Sequence, residues 1–181
     1  MEPRVAAVYA AIVVADQADA RGRALALADQ GGAPAAARAM MALEEIATGP
    51  RMVVLGPNAD DVEAQVNAPG WELLHNEHWR EGPVYGACMA MERLPLVDAF
   101  FLWVLDGQPA TTDEETLERM TETYLVARRK LGRIVTPVVN GKRHWPWLID
   151  IGFRQPFIEL RKGADFERVL KANAGQVVDV V

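Results

Sequence analysis

Residues 99–109 have the sequence AFFLWVLDGQP, and the expected architecture of the chain can be built outward from this segment. Ala99 to Leu105 form seven consecutive apolar residues, a run shorter than most helices and without the polar alternation of a half-exposed strand. Such a run predicts a strand that is buried on both faces, as in the interior of a parallel sheet. Asp106 follows directly, so the sequence predicts a carboxylate at the end of a central strand.

Segments of strand and helix character alternate on both sides of this run. The other expected strands are Val5 to Val14, Met52 to Leu55, Trp71 to Leu74, Ile134 to Val139 and Val177 to Val181. The expected helices are Pro34 to Ala47, Asp60 to Val66, Pro83 to about Arg93, a helix that Thr112 caps and Gly132 ends, and Ala164 to Ala174. This alternation predicts an α/β protein with three layers, α/β/α, around a mostly parallel sheet. Ligands of such sheets bind beyond the carboxyl ends of the strands.

Two segments between these elements are predicted to be irregular. Residues 16–33 form a polar, glycine-containing loop that is longer than most, and long loops in compact domains are often functional. We expect this loop to be mobile or to fold over a pocket, without forming a tight turn around phosphate. The second segment lies between Val139 and Ala164 and contains two tryptophans.

The composition indicates one globular domain over residues 1–181. The chain is 50% hydrophobic and 24% charged, which is sufficient for a buried core. Its net charge of −6, without a block of basic residues, argues against nucleic-acid or anionic membrane partners. Neither a membrane-spanning run nor a signal-peptide pattern is found, so we expect a cytoplasmic protein. The sequence does not choose between a monomer and an oligomer.

Two motifs could carry chemistry at the expected edge of the sheet. Asp106 could hold Mg²⁺, which in turn bridges nucleotide phosphates, or it could simply form a turn with Gly107. Gly82 and Pro83 open a helix in which Gly86 is the second glycine. Such glycines allow a backbone to approach a ligand, and the free N–H groups attract anions. The alternative is a tight loop that packs the helix against the sheet.

Arginine, histidine and cysteine side chains each allow more than one interpretation. The segment Arg21-Gly22-Arg23 could hold phosphate through its guanidinium groups, or belong to a solvated loop. His75 and His78 could share a metal if they lay on a helix, but their segment has the character of a strand end. Cys88 lies among small and apolar residues, which predicts a buried, unreactive thiol.

The segment GKRHWPW, residues 141–147, combines basic and aromatic residues. It could stack on a nucleobase and hold its phosphate, since cations and aromatic rings both bind such ligands. It could equally form a loop whose tryptophans cover the edge of the sheet. The sequence leaves both interpretations open.

Taken together, these motifs resemble one family. Gly82-Pro83-x-x-Gly86, then a helix, then a buried strand that ends in Asp106-x-x-Pro109, is similar to the MobA-like nucleotidyltransferases. These are the guanylyl- and cytidylyltransferases of molybdenum cofactor maturation and their relatives. The order and spacing of the elements agree over nearly the whole chain.

The resemblance implies a Rossmann-like fold with a nucleotide at the carboxyl edge of the sheet and Mg²⁺ on Asp106, the implied catalytic residue. The implied reaction is attack by a phosphate of an acceptor, of molybdopterin type, on the α-phosphorus of a nucleoside triphosphate. The implied partners are therefore a nucleotide and a small phosphorylated acceptor. The implied nucleotide-binding residues are Arg21, Gly22, Arg23, Gly82, Pro83 and Gly86.

The loop after the first strand departs from the family pattern, in which glycines and a lysine wrap the triphosphate. Here Ile12 stands in place of a glycine, Gly22 is the first glycine of the chain, and Lys130 is the first lysine. Asp16 and Asp19 add negative charge that would repel phosphate. Losing these donors and the cation removes the electrostatic stabilisation on which phosphoryl-type transfer depends.

Two functions remain as alternatives. In the first, the protein is a nucleotidyltransferase in which Arg21 and Arg23 replace the lost lysine and Asp106 holds Mg²⁺. In the second, it is a non-catalytic relative that acts as a binding or assembly protein.

Overall fold

The computed structural model describes residues 6–66, 68–109, 112–128, 133–160 and 165–181. Within these ranges the strands are β1 (Tyr9–Ala15), β2 (Arg51–Leu55), β3 (Glu72–His75), β4 (Ala99–Val104), β5 (Ile134–Val139), β6 (Lys142–Arg143), β7 (Trp147–Asp150) and β8 (Val177–Val180). The α-helices are α1 (Ala35–Glu44), α2 (Ala59–Val66), α3 (Pro83–Glu92), α4 (Glu114–Ala127), α5 (Arg154–Ile158) and α6 (Glu167–Ala172). Val5 and Ala164, with which two predicted elements begin, and Gly132, at which a third ends, lie outside the described residues.

The described strands form one mixed sheet in the order β3-β2-β1-β4-β7-β5-β6, with β8 also paired to β5. β1 is parallel to both β2 and β4, and β3 is parallel to β2. Every residue of β4 is buried. The prediction that Phe100 to Leu105 form a central, buried strand in the same sheet as the N-terminal strand is therefore confirmed.

Helices cover both faces of this sheet, because successive side chains of its central strands point to opposite sides. In β1, Ala11 and Val13 pack in the core that contains α1, α2 and α4. Ile12 and Val14 pack in the opposite core, with α3, α5 and α6. The structure thus has the three layers predicted from the alternation of strands and helices.

The segment predicted to be irregular after β5 contains β6, β7 and α5. β7 is antiparallel and lies between β4 and β5, with Leu102 opposite Trp147 and Ile134 opposite Ile149. It is only four residues long and follows a basic, proline-containing stretch, so the run is too short for periodicity to identify it as a strand. Its pairing with β4, which lies much earlier in the chain, and with the nearer β5 gives it an extended conformation.

The N-terminal cap of α4 lies one residue later than predicted. The Asp113 side chain caps the helix by accepting a hydrogen bond from the Thr116 N–H at 2.8 Å. The Thr112 hydroxyl instead donates to the carbonyl of Trp145 at 2.7 Å. Thr112 therefore ties the start of α4 to the aromatic segment before β7.

Candidate functional site

The candidate site lies where three parallel strands end together. Val14 of β1 pairs with Val54 of β2 on one side and with Val104 of β4 on the other. Two residues further along, these strands lead into Asp16, Gly56 and Asp106 respectively. Two aspartates that are 90 positions apart in the sequence therefore leave neighbouring strands at the same edge of the sheet.

Asp106 is exposed and forms a tight turn. Its Oδ1 accepts a hydrogen bond from the Gln108 N–H at 3.0 Å, and Gly107 has a φ of 86°. The turn predicted as an alternative to a binding role is thus present. The two interpretations are compatible, because the turn aims the same carboxylate into a cleft.

This cleft has a volume of about 290 Å³ and lies at the carboxyl end of β4. Asp106, Gln108 and Pro109 form one wall, and Lys142 to Trp145 form another. Gln30 closes a third side, where its Nε2 donates to the Gln108 carbonyl at 3.3 Å. The loop between β1 and α1 therefore folds against the Asp106 turn, one of the two behaviours predicted for it.

Arg21, Gly22 and Arg23 lie on a hairpin that Asp19 organises. Asp19 Oδ1 accepts hydrogen bonds from the Arg21 and Arg23 N–H groups at 2.8 and 3.0 Å. Arg23 Nε also forms an ion pair with Asp19 Oδ2 at 2.7 Å. Arg23 lines a separate depression with Asn58, and none of the three hairpin residues lines the Asp106 cleft.

Asp16 is a buried carboxylate that the sequence did not identify as part of a site. It is 0% exposed, and its two oxygens accept hydrogen bonds from Gln17 Nε2 at 2.7 Å and Asn76 Nδ2 at 2.8 Å. Burial raises the pKa of the Asp16 carboxyl to about 6, while the two hydrogen bonds act in the opposite direction. The aspartate predicted to repel phosphate from a loop is instead enclosed between strand ends and a helix.

The glycines near Asp16 explain how this carboxylate is accommodated. A Cβ atom on Gly86 would lie 2.0 Å from Asp16 Oδ2, and one on Gly56 would lie 2.9 Å from Asp16 Cβ. Gly86 is buried, and the Asp16 carboxylate occupies the space where a side chain at Gly86 would lie. The glycine therefore makes room for a group of the chain itself. Gly82, with a φ of 101°, directly precedes α3. Pro83 is the first residue of α3, as predicted.

β1 ends one residue after the predicted Val14. Ile12, which stands in place of a glycine of the family pattern, lies in the middle of β1 and is buried. The strand continues to Ala15, so the first loop positions are Asp16 and Gln17. Local sequence offers no signal for this enclosure, because Asp106 also follows a run of buried residues directly and is exposed.

The two histidines predicted as an alternative metal pair have separate partners. His75 Nε2 lies 3.9 Å from Glu63, and His78 Nδ1 lies 3.5 Å from Glu81. Among the described residues there is no group of three or more His, Cys, Asp or Glu side chains that could hold a metal ion. Cys88 is buried with its thiol near the Phe157 carbonyl at 3.5 Å, which confirms the predicted burial.

The basic segment after β5 forms a wall of the cleft through β6 and the residues that follow it. Arg143 is paired with Asp179 at 2.8 Å and with Glu167 at 3.8 Å. Trp145 lines the cleft and stacks on Trp147 with ring centroids 4.3 Å apart. The two tryptophans thus pack on each other beside the sheet, while Lys142 and Arg143 line the cleft; stacking on a nucleobase stays a prediction.

The chain belongs to the family of MobA-like NTP transferase domains, whose family model matches residues 10–177. This membership confirms the resemblance drawn from the glycine-proline motif and the Asp-x-x-Pro motif. No curated protein sequence matches the chain. None of the described helices is long and apolar enough to cross a membrane.

Solved structures share the same nucleotidyltransferase-like α/β fold at low sequence identity. Rv0371c from Mycobacterium tuberculosis H37Rv superposes with a TM-score of 0.74 at 16% identity, covering 98% of this chain and 91% of that one. Its complex with manganese gives a TM-score of 0.75 at 14% identity, covering 97% and 88%. A CMP:2-keto-3-deoxy-manno-octonic acid synthetase complexed with CTP gives 0.68 at 15% identity, covering 96% and 90%.

Proposed function

We propose that this protein transfers a nucleoside monophosphate from a nucleoside triphosphate to a phosphorylated acceptor in the cleft beside Asp106. The observation that carries the proposal is the placement of an exposed carboxylate immediately beyond a central strand, in a cleft with basic side chains opposite. Family membership supports nucleotidyl transfer as the class of reaction. By the same family relation, we propose a molybdopterin-type cofactor as the acceptor.

Asp106 fits Mg²⁺ as a single protein ligand. Its Oδ1 accepts the Gln108 N–H, and no hydrogen bond from the described residues reaches its Oδ2. Mg²⁺ at phosphate sites is commonly held by one or two carboxylates and takes its other ligands from phosphate oxygens and water. We therefore propose that the ion binds together with the nucleotide. When bound, it would supply positive charge that offsets the charge of the phosphates.

The proposed reaction requires positioning and charge more than proton transfer. An oxygen of the acceptor phosphate attacks the α-phosphorus and forms a new P–O bond. At the same time, the bond breaks between the α-phosphorus and the oxygen that joins it to the β-phosphorus. Pyrophosphate leaves with the electron pair of the broken bond. A phosphate monoester is already largely ionised at neutral pH, so no side chain has to remove a proton from the attacking oxygen. The chain has to hold both phosphate groups against mutual repulsion.

Non-catalytic binding is the second candidate function, and the loop after β1 favours it. Arg23 is tied to Asp19, and the first loop position is the enclosed carboxylate of Asp16. Under this alternative, the cleft binds a ligand or partner without turnover.

Thermal unfolding with each of the four nucleoside triphosphates, with and without Mg²⁺, tests the proposal. A ligand at one hundred times its dissociation constant stabilises a protein by about 2.7 kcal/mol, which is readily measured. We expect Asp106→Asn to abolish the Mg²⁺-dependent shift, because it keeps the shape of the side chain and loses its charge. Asp61→Asn on the exposed surface of α2 is the matched control.

Three outcomes separate the candidates. A Mg²⁺-dependent shift that Asp106→Asn removes supports the proposed site, and pyrophosphate release in the presence of acceptor then supports turnover. Equal shifts in the wild type and in Asp106→Asn refute the metal role of Asp106. Binding that is never followed by pyrophosphate release favours the non-catalytic alternative.

A further inference from the structure

Among the described residues, the charges that line the Asp106 cleft leave one cation, Lys142, without a carboxylate partner. Arg143 is a lining residue of the cleft, but its guanidinium is paired with Asp179 and Glu167. Lys142 also lines the cleft, and no carboxylate among the described residues lies within ion-pair distance of its ammonium group. An exposed ammonium group opposite an exposed carboxylate is suited to a ligand that carries both phosphate and a bound cation.

The backbone that carries Lys142 is well defined. β5 and β6 form a hairpin in which Val139 pairs with Lys142. The two turn residues, Asn140 and Gly141, have φ values of 52° and 75°, as the favoured two-residue hairpin turn requires. The His144 N–H donates to the Pro137 carbonyl at 2.9 Å and extends the hairpin past β6. The position of Lys142 is therefore set by sheet pairing instead of by a free loop.

Two other arginines, Arg23 and Arg38, are already engaged elsewhere. Arg23 is paired with Asp19 and does not line the cleft. Arg38 lies in a neighbouring depression and donates to the carbonyl oxygens of Gln30 and Gly31 at 2.6 and 2.9 Å. Neither replaces a cation at the wall opposite Asp106.

We propose that Lys142 binds a phosphate group of the ligand in the Asp106 cleft. This inference rests on the proposed function for the identity of the ligand, since it assigns one of that ligand's phosphates to the β6 wall. It also moves the role of phosphate-binding cation from Arg21 and Arg23, where the sequence placed it, to the β5–β6 hairpin. The phosphate can come from the nucleoside triphosphate or from the acceptor, and both present the same chemistry to an ammonium group.

The experiment compares the wild type with Lys142→Ala and Lys142→Arg by titration calorimetry. One arm uses the nucleoside triphosphate that gives the largest thermal shift, with Mg²⁺, and the other uses phenyl phosphate as a nucleotide-free phosphomonoester. We expect Lys142→Ala to weaken binding at least tenfold in one arm or both, and Lys142→Arg to retain most of the affinity. Lys171→Ala, which removes an exposed lysine on α6, is the matched control and should bind like the wild type.

The arm that loses affinity identifies the phosphate. Loss with the triphosphate alone places Lys142 at the donor, and loss with phenyl phosphate alone places it at the acceptor. Affinities of Lys142→Ala within twofold of the wild type in both arms would overturn the inference, and so would a wild type that binds neither ligand.

The failure of this inference is distinguishable from the failure of the proposed function. Triphosphate binding that needs Asp106 but not Lys142, together with unchanged phenyl phosphate binding, retains the proposed function and removes the inference. If Lys142→Ala loses phenyl phosphate binding and the wild type binds no triphosphate, the inference is retained and the proposed function is removed. Lys142 is exposed, so unchanged thermal midpoints of the two variants should show that folding is not the cause.

Discussion

Replacing Asp16 by asparagine should flatten the dependence of stability on pH in the mildly acidic range. The pKa of the buried Asp16 carboxyl is about 6 in the folded protein, compared with 3.8 for an unperturbed aspartate. The folded state therefore binds this proton more tightly than the unfolded state does. Consequently, the Asp16 contribution to the unfolding free energy is largest below pH 3.8 and is lost as the pH rises through about 6.

The magnitude follows from the two pKa values. Their difference corresponds to about 3 kcal/mol, since one pKa unit is about 1.36 kcal/mol. This is an upper value, because the carboxylate lies beside Gly86 in the first turn of α3, and a helix N-terminus favours the ionised form. Asp16→Asn cannot ionise, so its unfolding free energy should lack this contribution to the pH dependence.

Urea unfolding of the wild type and Asp16→Asn at several pH values between about pH 4 and pH 7 measures the effect. The other carboxyl groups titrate in both proteins, so their contributions cancel in the difference between the two curves. We expect the stability of the wild type, relative to the variant, to fall by about 2–3 kcal/mol across this range. The m-values should agree, which shows that the variant buries the same surface.

Asp19→Asn is the control within the same loop. Asp19 is partly exposed, and its pKa is lowered by hydrogen bonds from Arg23 and Arg21. Its contribution to stability is therefore present above the unfolded pKa and is lost as the pH falls, a dependence of the opposite sign. Parallel curves for the wild type and Asp16→Asn would refute the reasoning, because the carboxyl would then titrate like a solvated one.

Three further predictions concern packing and capping. Gly86→Ala should destabilise the protein by about 1–3 kcal/mol in urea unfolding, because the new Cβ would overlap Asp16 Oδ2. Adding Asp16→Gly to this variant should recover part of the lost stability; if it does not, the overlap is not the cause of the loss. Asp113→Ala should lower the unfolding free energy by about 1 kcal/mol through loss of the α4 cap. Thr112→Ala should lower it less, because Asp113 is the residue that caps α4; a larger loss for Thr112→Ala would instead assign the cap to Thr112. Tyr124→Phe should cost about 1–2 kcal/mol, since the Tyr124 hydroxyl donates to an Asp150 carboxylate oxygen at 2.8 Å; an unchanged urea midpoint would contradict that contribution.

The strands and helices themselves could be predicted from local pattern. The run from Ala99 to Leu105 was long enough, and apolar enough, to identify β4, and Asp106 after it was correctly expected at the carboxyl edge. Gly82 and Pro83 were correctly expected at the start of α3. Each of these inferences depends on residues that are close together in the sequence.

β7 and the Asp16 enclosure could not be predicted in the same way. β7 is extended because it pairs with β4 and β5, and its four residues are too few for a local pattern to identify them as a strand. Asp16 is enclosed by Gly56, Asn76 and Gly86, which are between 40 and 70 positions away. From the local sequence, a charged residue after a strand is expected to be solvated, and only its distant neighbours show otherwise.

The sequence by itself determined the fold class, the family and the carboxylate at the end of β4, because periodicity and short motifs are local properties of the chain. The tertiary structure decided which charges face the Asp106 cleft. On composition, Arg21 and Arg23 could have held phosphate, but neither lines the cleft, and Arg23 is paired with Asp19. The β5–β6 hairpin brings Lys142 to the cleft instead. Which cation meets which anion depends on the pairing of distant segments, and that pairing exists only once the chain has folded.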